Sequence, residues 1–270
     1  MRFTPSSITR TAAALVCGTA FTLSAADSSH GDGHKGIYLT TPLHTQNPLP
    51  KKKVKLAYYN LDIDEGTTQK DKDKLKLELE YKFNKNFGVN LQVPYTWVEK
   101  TKKGKTTDYD NLDDVELSLN FANYAFEDNG VVIGYGLGLG IPTGDEEKYA
   151  GSDHLWRIMP FVNVGKAYDK VEVIAHVNLV LNANENGTNV EDAIEYDLSL
   201  LYKLHDNVKA LVEFNGDSLL DGDDHTVIDI SPGLKYVSDD HWEVAVGASF
   251  PLTDDEHFEH EYTVQFLYFF

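Results

Sequence analysis

From Val54 to the end, the sequence alternates apolar and polar residues in runs of roughly 9–13, the length of a tilted membrane-crossing strand. This period of two constrains the fold more than any other feature. Leu75, Leu77, Leu79, Tyr81 and Phe83 are interleaved with Lys76, Glu78, Glu80 and Lys82. A helix would scatter these charges around its circumference, whereas a strand puts them on one face and the leucines on the other. Eleven further runs read the same way, with apolar sets such as Val171, Val173, Ala175, Val177, Leu179 and Leu181, or Tyr262, Val264, Phe266, Tyr268 and Phe270. The first and weakest covers about 54–63, with Ala57, Tyr59, Leu61 and Ile63 expected on its apolar face.

No apolar face in this reading carries a charge, although 25% of all residues are charged. A water-soluble sandwich does not need so uniform an outer face, and an open sheet of twelve strands would leave its edges exposed. The connections alternate in length. Residues 84–86, 127–129, 168–170, 205–207 and 238–241 read as tight polar turns, and 100–111, 145–153, 184–192, 216–225 and 254–259 as longer loops. Short turns at one end and long loops at the other are the pattern of an outer-membrane barrel. An even strand number places both chain ends on the turn side. Phe83, Phe87, Tyr202, Tyr236, Trp242 and Phe270 gather near the turns, and Tyr95, Trp97, Trp156 and Phe250 near the loops, as two interfacial belts require. The expected fold class is all-β, a transmembrane antiparallel up-and-down β-barrel of twelve strands, spanning residues 54–270.

Residues 1–26 read as a secretory signal peptide: Arg2 and Arg10, then the apolar stretch 11–23, then Ser24, Ala25 and Ala26 at the cleavage position. The apolar stretch is too short to cross a bilayer as a helix. Its removal takes away Cys17, the single cysteine, and deepens the net charge of −19 by two. A cysteine-free, exported, acidic chain fits an envelope location, and the barrel pattern makes that location the bacterial outer membrane. So large an acid excess excludes nucleic acid, whose phosphates need a basic face. The expected partners are outer-membrane lipids, small-molecule solutes and the barrel-assembly machinery. The terminal aromatic Phe270, preceded by alternating apolar residues, is similar to the insertion signal that machinery reads. The chain is expected to be a monomer.

The polar faces point into the lumen. The lumen and substrate-path candidates are Arg157, Glu78, Glu80, Asp114, Glu116, Glu172, His176, Glu195, Asp197, Glu213 and Asp229, with inward lysines including Lys74, Lys203, Lys209 and Lys235. They suit either a wet, cation-favouring passage or a salt-bridged plug of side chains, because twelve strands lie between filled and open barrels. Arg157, the one arginine beyond the signal, is expected to pair with inward acids, Glu172 or Glu195. The glycines at 134, 136, 138 and 140 clear one inner wall for a substrate path or for an inward-folded chain segment. That segment would be 27–53, which does not alternate and reads as a periplasmic tail or a lumen plug. Its His30, His34 and His44 lack metal-ligand spacing, and the loop acids at 221–224 and 254–256 lack the spacing of a calcium loop. No metal or cofactor is expected: Gly136-x-Gly138 lacks the third glycine of a dinucleotide fingerprint and a strand surrounds it. No enzyme is expected either, since His176 has no serine partner in the pattern.

Residues 136–166, GLGLGIPTGDEEKYAGSDHLWRIMPFVNVGK, carry a glycine-rich strand ending in a Pro142-Thr143-Gly144-Asp145 corner, then a loop and a strand with aromatics. This resembles the outer-membrane transporter family associated with the meta-pathway of phenol degradation. The resemblance implies an outer-membrane barrel that passes small, often hydrophobic or aromatic compounds. The expected function is therefore passive passage of small solutes. A cation-preferring general porin, or a non-conducting structural or surface-interaction barrel, stands as the alternative.

Overall fold

The computed structural model describes residues 37–64, 66–184, 191–220, 225–239, 241–253 and 258–270. The expected signal peptide, His30 and His34, and the acidic clusters at 221–224 and 254–256 lie outside the described residues. Thirteen strands follow one another: β1 (Lys53–Asp64), β2 (Thr68–Asn84), β3 (Phe87–Lys102), β4 (Lys105–Leu112), β5 (Val115–Asn123), β6 (Val131–Ile141), β7 (Leu155–Ala167), β8 (Val171–Asn184), β9 (Ala193–His205), β10 (Val208–Leu219), β11 (Thr226–Val237), β12 (Trp242–Pro251) and β13 (His260–Phe269). All pairings are antiparallel between neighbours, and β1 joins both β2 and β13. The ring therefore closes, and closure removes the edges an open sheet would expose. No helix among the described residues is long and apolar enough to cross a membrane.

Twelve strands close the ring, as the alternation predicts, and β4 is the thirteenth. The stretch 100–111 was expected to be a loop. Instead β3 continues upward and β4 folds back along it, from Lys102 opposite Lys105 to Tyr95 opposite Leu112. Below Asp113 and Asp114, β5 takes over the same neighbour from Gln92 opposite Glu116 downward. Thr101, Thr106 and Thr107 give the hairpin β-propensity, but its outward residues are polar. The period there carries no apolar mark by which the sequence could show a strand.

The surface is inverted relative to a soluble protein. Leu79, Tyr81, Leu137, Val162, Val177, Leu198, Val246 and Phe266 are exposed, whereas Glu213, Glu243, Lys235 and Gln265 are at most 1% exposed. Such a continuous apolar exterior has its solvent in lipid. At the turn end a belt of rings runs around the outside. Tyr81 meets Phe83 at 5.0 Å, Phe83 stacks on Phe87 at 5.4 Å, Phe87 on Phe121 at 5.0 Å and Phe121 on Tyr135 at 5.6 Å. At the loop end Tyr95 and Trp97 pair at 4.8 Å.

The first strand has the opposite register to the one expected. Ala57 and Tyr59 face inward and are buried, and Val54, Leu56 and Tyr58 face lipid. Cross-strand partners decide this: Leu56 lies between Leu77 and Phe266, and Lys53 and Lys55 lie opposite Glu80 and Glu78. Both faces of β1 carry apolar residues, so its own pattern cannot choose a side. Its neighbours choose by matching apolar with apolar and lysine with glutamate.

Candidate functional site

The inward carboxylates of the turn half find their partners in a chain segment that runs inside the barrel. Residues 37–51 precede β1 and contain no strand. Glu213 of β10 accepts the backbone N–H groups of Leu43 at 2.5 Å, His44 at 2.8 Å and Thr45 at 3.1 Å. Glu172 of β8 accepts the Thr40 N–H at 2.6 Å, and its other partner is the Lys209 ammonium of β10. Glu243 of β12 accepts the Tyr38 hydroxyl at 2.8 Å and pairs with Lys235 at 3.0 Å. Lys235 also donates to the Thr41 carbonyl, and Gln265 of β13 donates to the Leu43 carbonyl at 2.6 Å. A non-regular segment buried in a lumen must bond its peptide groups to something, and here the walls of β8 and β10–β13 supply acceptors and donors.

The wall makes room for the segment where it touches. A Cβ at Gly165 would overlap Leu39, one at Gly247 would overlap Leu43, and one at Gly134 would come within 2.8 Å of the Pro48 Cα. Gly88 is 2.9 Å, on the same measure, from Pro50. Leu43 nests with Leu201, Leu211 and Ala245, and Leu39 with Leu49, Ala122, Val132 and Ile174. These are apolar sockets in an otherwise polar wall. Of the two uses envisaged for the glycine row on β6, Gly134 serves the inner segment, at Pro48, while also admitting Asn163 of β7. The others admit side chains of β7: Phe161 lies against Gly136, Met159 against Gly138 and Arg157 against Gly140.

Glu78 and Glu80 form a closed ionic group with β1. Lys53 reaches Glu78 at 2.9 Å and Glu80 at 3.0 Å, Lys55 reaches Glu78 at 3.5 Å, and the Lys51 N–H donates to Glu80 at 2.8 Å. All four ionic side chains are buried, and burial at that depth is tolerable only because each charge is paired.

Arg157 does not meet Glu172 or Glu195, the partners expected from strand order. It lies across β6 and pairs with Glu116 at 3.1 Å and Asp114 at 3.6 Å. The register explains the reach, because Glu116, Gly140 and Arg157 form one row and glycine has no side chain in the way. Asp114 belongs to a loop anchor. It accepts N–H groups from Ser152 at 2.9 Å and Gly144 at 3.2 Å. Burial pushes the Asp114 carboxyl up, against these bonds and Arg157. Thr143 of the Pro-Thr-Gly-Asp corner accepts the Val115 N–H at 3.0 Å and donates to the Asp113 carbonyl at 2.9 Å. The corner thus seals the break between β4 and β5. Beyond it, Tyr149 sits under the Lys100 ammonium, 4.4 Å from the ring centroid, and against the edge of Tyr109 at 5.4 Å. A cavity of about 340 Å³ remains there, lined by Ile63, Lys72, Val98, Glu146 and Tyr149 among others.

The remaining candidates, His176, Glu195, Asp197 and Asp229, line β8, β9 and β11 between these two regions. His176, Asp197, Asn215 and Asp229 fall in one row across four strands. Two groups went unseen in the sequence. Asp62, Glu259 and His260 bring ligand atoms together at the loop end of β1 and β13, as do Glu146, Asp153 and His154 near the loop after β6. Both assemble residues whose spacing along the chain carries no ligand signature, and the first needs the β1–β13 register to exist.

Several solved structures share the fold. An outer-membrane channel from Pseudomonas putida F1 superposes with a TM-score of 0.66 at 10% identity, covering 86% of this chain and 100% of that one. The KdgM porin gives 0.53 at 14% identity, covering 80% and 99%. The β domain of the Bordetella autotransporter BrkA gives 0.51 at 14% identity, covering 81% and 98%. Channels and an autotransporter domain share this architecture, so the likeness establishes the barrel and not its cargo. No curated protein matched by sequence. The family model described as "Putative MetA-pathway of phenol degradation" matches residues 53–260, from the first residue of β1 to the first residue of β13, and the chain belongs to that family.

Proposed function

We propose that this protein is an outer-membrane channel for passive passage of small solutes, closed at rest in its turn half by residues 37–51. One observation carries the reading: the carboxylates of the turn half are satisfied by a chain segment rather than by the wall alone. Glu213 binds three successive peptide N–H groups of that segment, and the segment itself contains no strand. When the segment leaves, water takes its place on these carboxylates, and the reading requires the closure to be reversible. The loop half keeps a polar wall in which Asp197 makes no hydrogen bond or ion pair among the described residues. An aromatic cargo draws its support from the family's description, whereas the wall itself favours polar or cationic solutes.

A non-conducting structural barrel is the second reading, favoured by the depth at which Lys235, Glu243 and Glu213 are buried around the segment. Planar-bilayer recording separates the two. The Glu172→Gln, Glu213→Gln double variant keeps side-chain shape and removes the charge that holds the segment. It should conduct several-fold more, or stay open longer, than the unaltered protein. Silence from both would reject the channel.

A further inference from the structure

The loop half of the lumen gathers more acceptors than the wall supplies donors for. Asn178 of β8 is 7% exposed, and its amide nitrogen donates to Glu195 at 2.9 Å. That bond fixes the amide orientation and leaves the buried oxygen without a partner. Asn215 of β10 repeats the arrangement: its nitrogen donates to Asp229 at 2.8 Å and to Ser231 at 3.1 Å, and its oxygen is buried and unbonded. Asp197 of β9 lies beside Asn215 in the register. No lysine neutralises the group. The inward lysines of β9, β10 and β11 are engaged at the turn end, Lys203 with Asp206, Lys209 with Glu172 and Lys235 with Glu243. Arg157 turns its Nη2 to Glu116 and Asp114 and makes no hydrogen bond to the group.

Buried acceptors without donors are costly, so the arrangement calls for a ligand that donates. From β9 to β11 the acceptors span about 10 Å, and from Glu195 to Asp197 about 7 Å. One bare metal ion, whose oxygen ligands must stand about 2.3–2.6 Å away, cannot bridge that spread. We propose that Glu195, Asp197 and Asp229, with the side-chain oxygens of Asn178 and Asn215, form a station for small organic cations bearing several N–H donors, the alkyl diamines being the class that fits. This deepens the channel reading and rests on it for its biological sense, but binding itself does not require conduction.

Isothermal titration of the detergent-folded full chain with putrescine, at low salt, tests the station. Binding is expected, about tenfold weaker in Asp197→Asn and in Asn178→Ala, as for loss of one charge-assisted hydrogen bond. Benzoate should not bind. An unheated gel-shift control verifies that each variant is folded. Absence of putrescine binding, affinity unchanged in both folded variants, or tighter binding of benzoate would overturn the station. A protein that binds putrescine yet carries no current in the bilayer test loses the channel and keeps the station. One that conducts without binding loses the station alone.

Discussion

At the scale of the residue, the lumen shows how one missing side chain places another. Gly140 lets Arg157 cross a strand to reach Glu116, and Gly165 and Gly247 leave sockets for Leu39 and Leu43. Had these positions carried side chains, the same charges would have found other partners. Gly247→Val should therefore push Leu43 out of its socket. Overpacking of this kind costs about 1–3 kcal/mol, and the cost falls on the docked segment rather than on the strand ladder. Limited proteolysis should cut within 37–51 faster in the variant while the folded barrel band persists on an unheated gel. Unchanged protection would mean that Leu43 does not hold the segment.

At the scale of the element, the corner at 142–145 is a joint. Thr143 bonds both sides of the break between β4 and β5. Thr143→Val keeps the shape and deletes both bonds, each worth about 0.5–1.5 kcal/mol. Faster hydrogen exchange at the Val115 amide is expected, with little change at Leu119 farther down β5. The same joint responds to acid. Burial alone would raise the Asp113 carboxyl, but the Lys74 ammonium at 2.8 Å and the Asp114 amide hold it below its ordinary value. A depressed carboxylate contributes stability that is present above its unfolded pKa and lost as pH falls through the folded one. The contribution of Asp113 to the joint should therefore be intact at neutral pH and be lost only below the ordinary carboxylate range. Asp113→Asn should remove that acid step from a pH titration of hydrogen exchange at β5. A step that persists in the variant would assign it to another group.

At the scale of the whole molecule, the barrel is an inside-out protein whose two surfaces obey opposite rules. A charge on the lipid face has no partner, whereas a charge in the lumen has many. Leu198→Arg, near the middle of β9 and outward, should cost about 2–4 kcal/mol in folding into lipid vesicles. Lys203→Gln, inward on the same strand and half-exposed, should cost far less. Equal costs in a denaturant titration from vesicles would contradict the assignment of faces. The family membership belongs to this scale too, since the match runs from β1 to the start of β13 and leaves out the segment inside the barrel.

The sequence by itself determined the barrel: twelve wall strands, the lipid-facing side of eleven of them, the turn end and the loop end. It could do so because the period of two is local, and because a face in contact with lipid admits no charge. Only the tertiary structure decided the register of β1, the hairpin of β4, the partners of Arg157 and the location of residues 37–51. In each case the local pattern was ambiguous or polar throughout, and the deciding contacts join distant parts of the chain. Glu213 and Leu43, 170 residues apart, meet because closing the sheet brings every inward face to one axis. A carboxylate in such a lumen selects its partner by distance across the bore, which no spacing along the chain records.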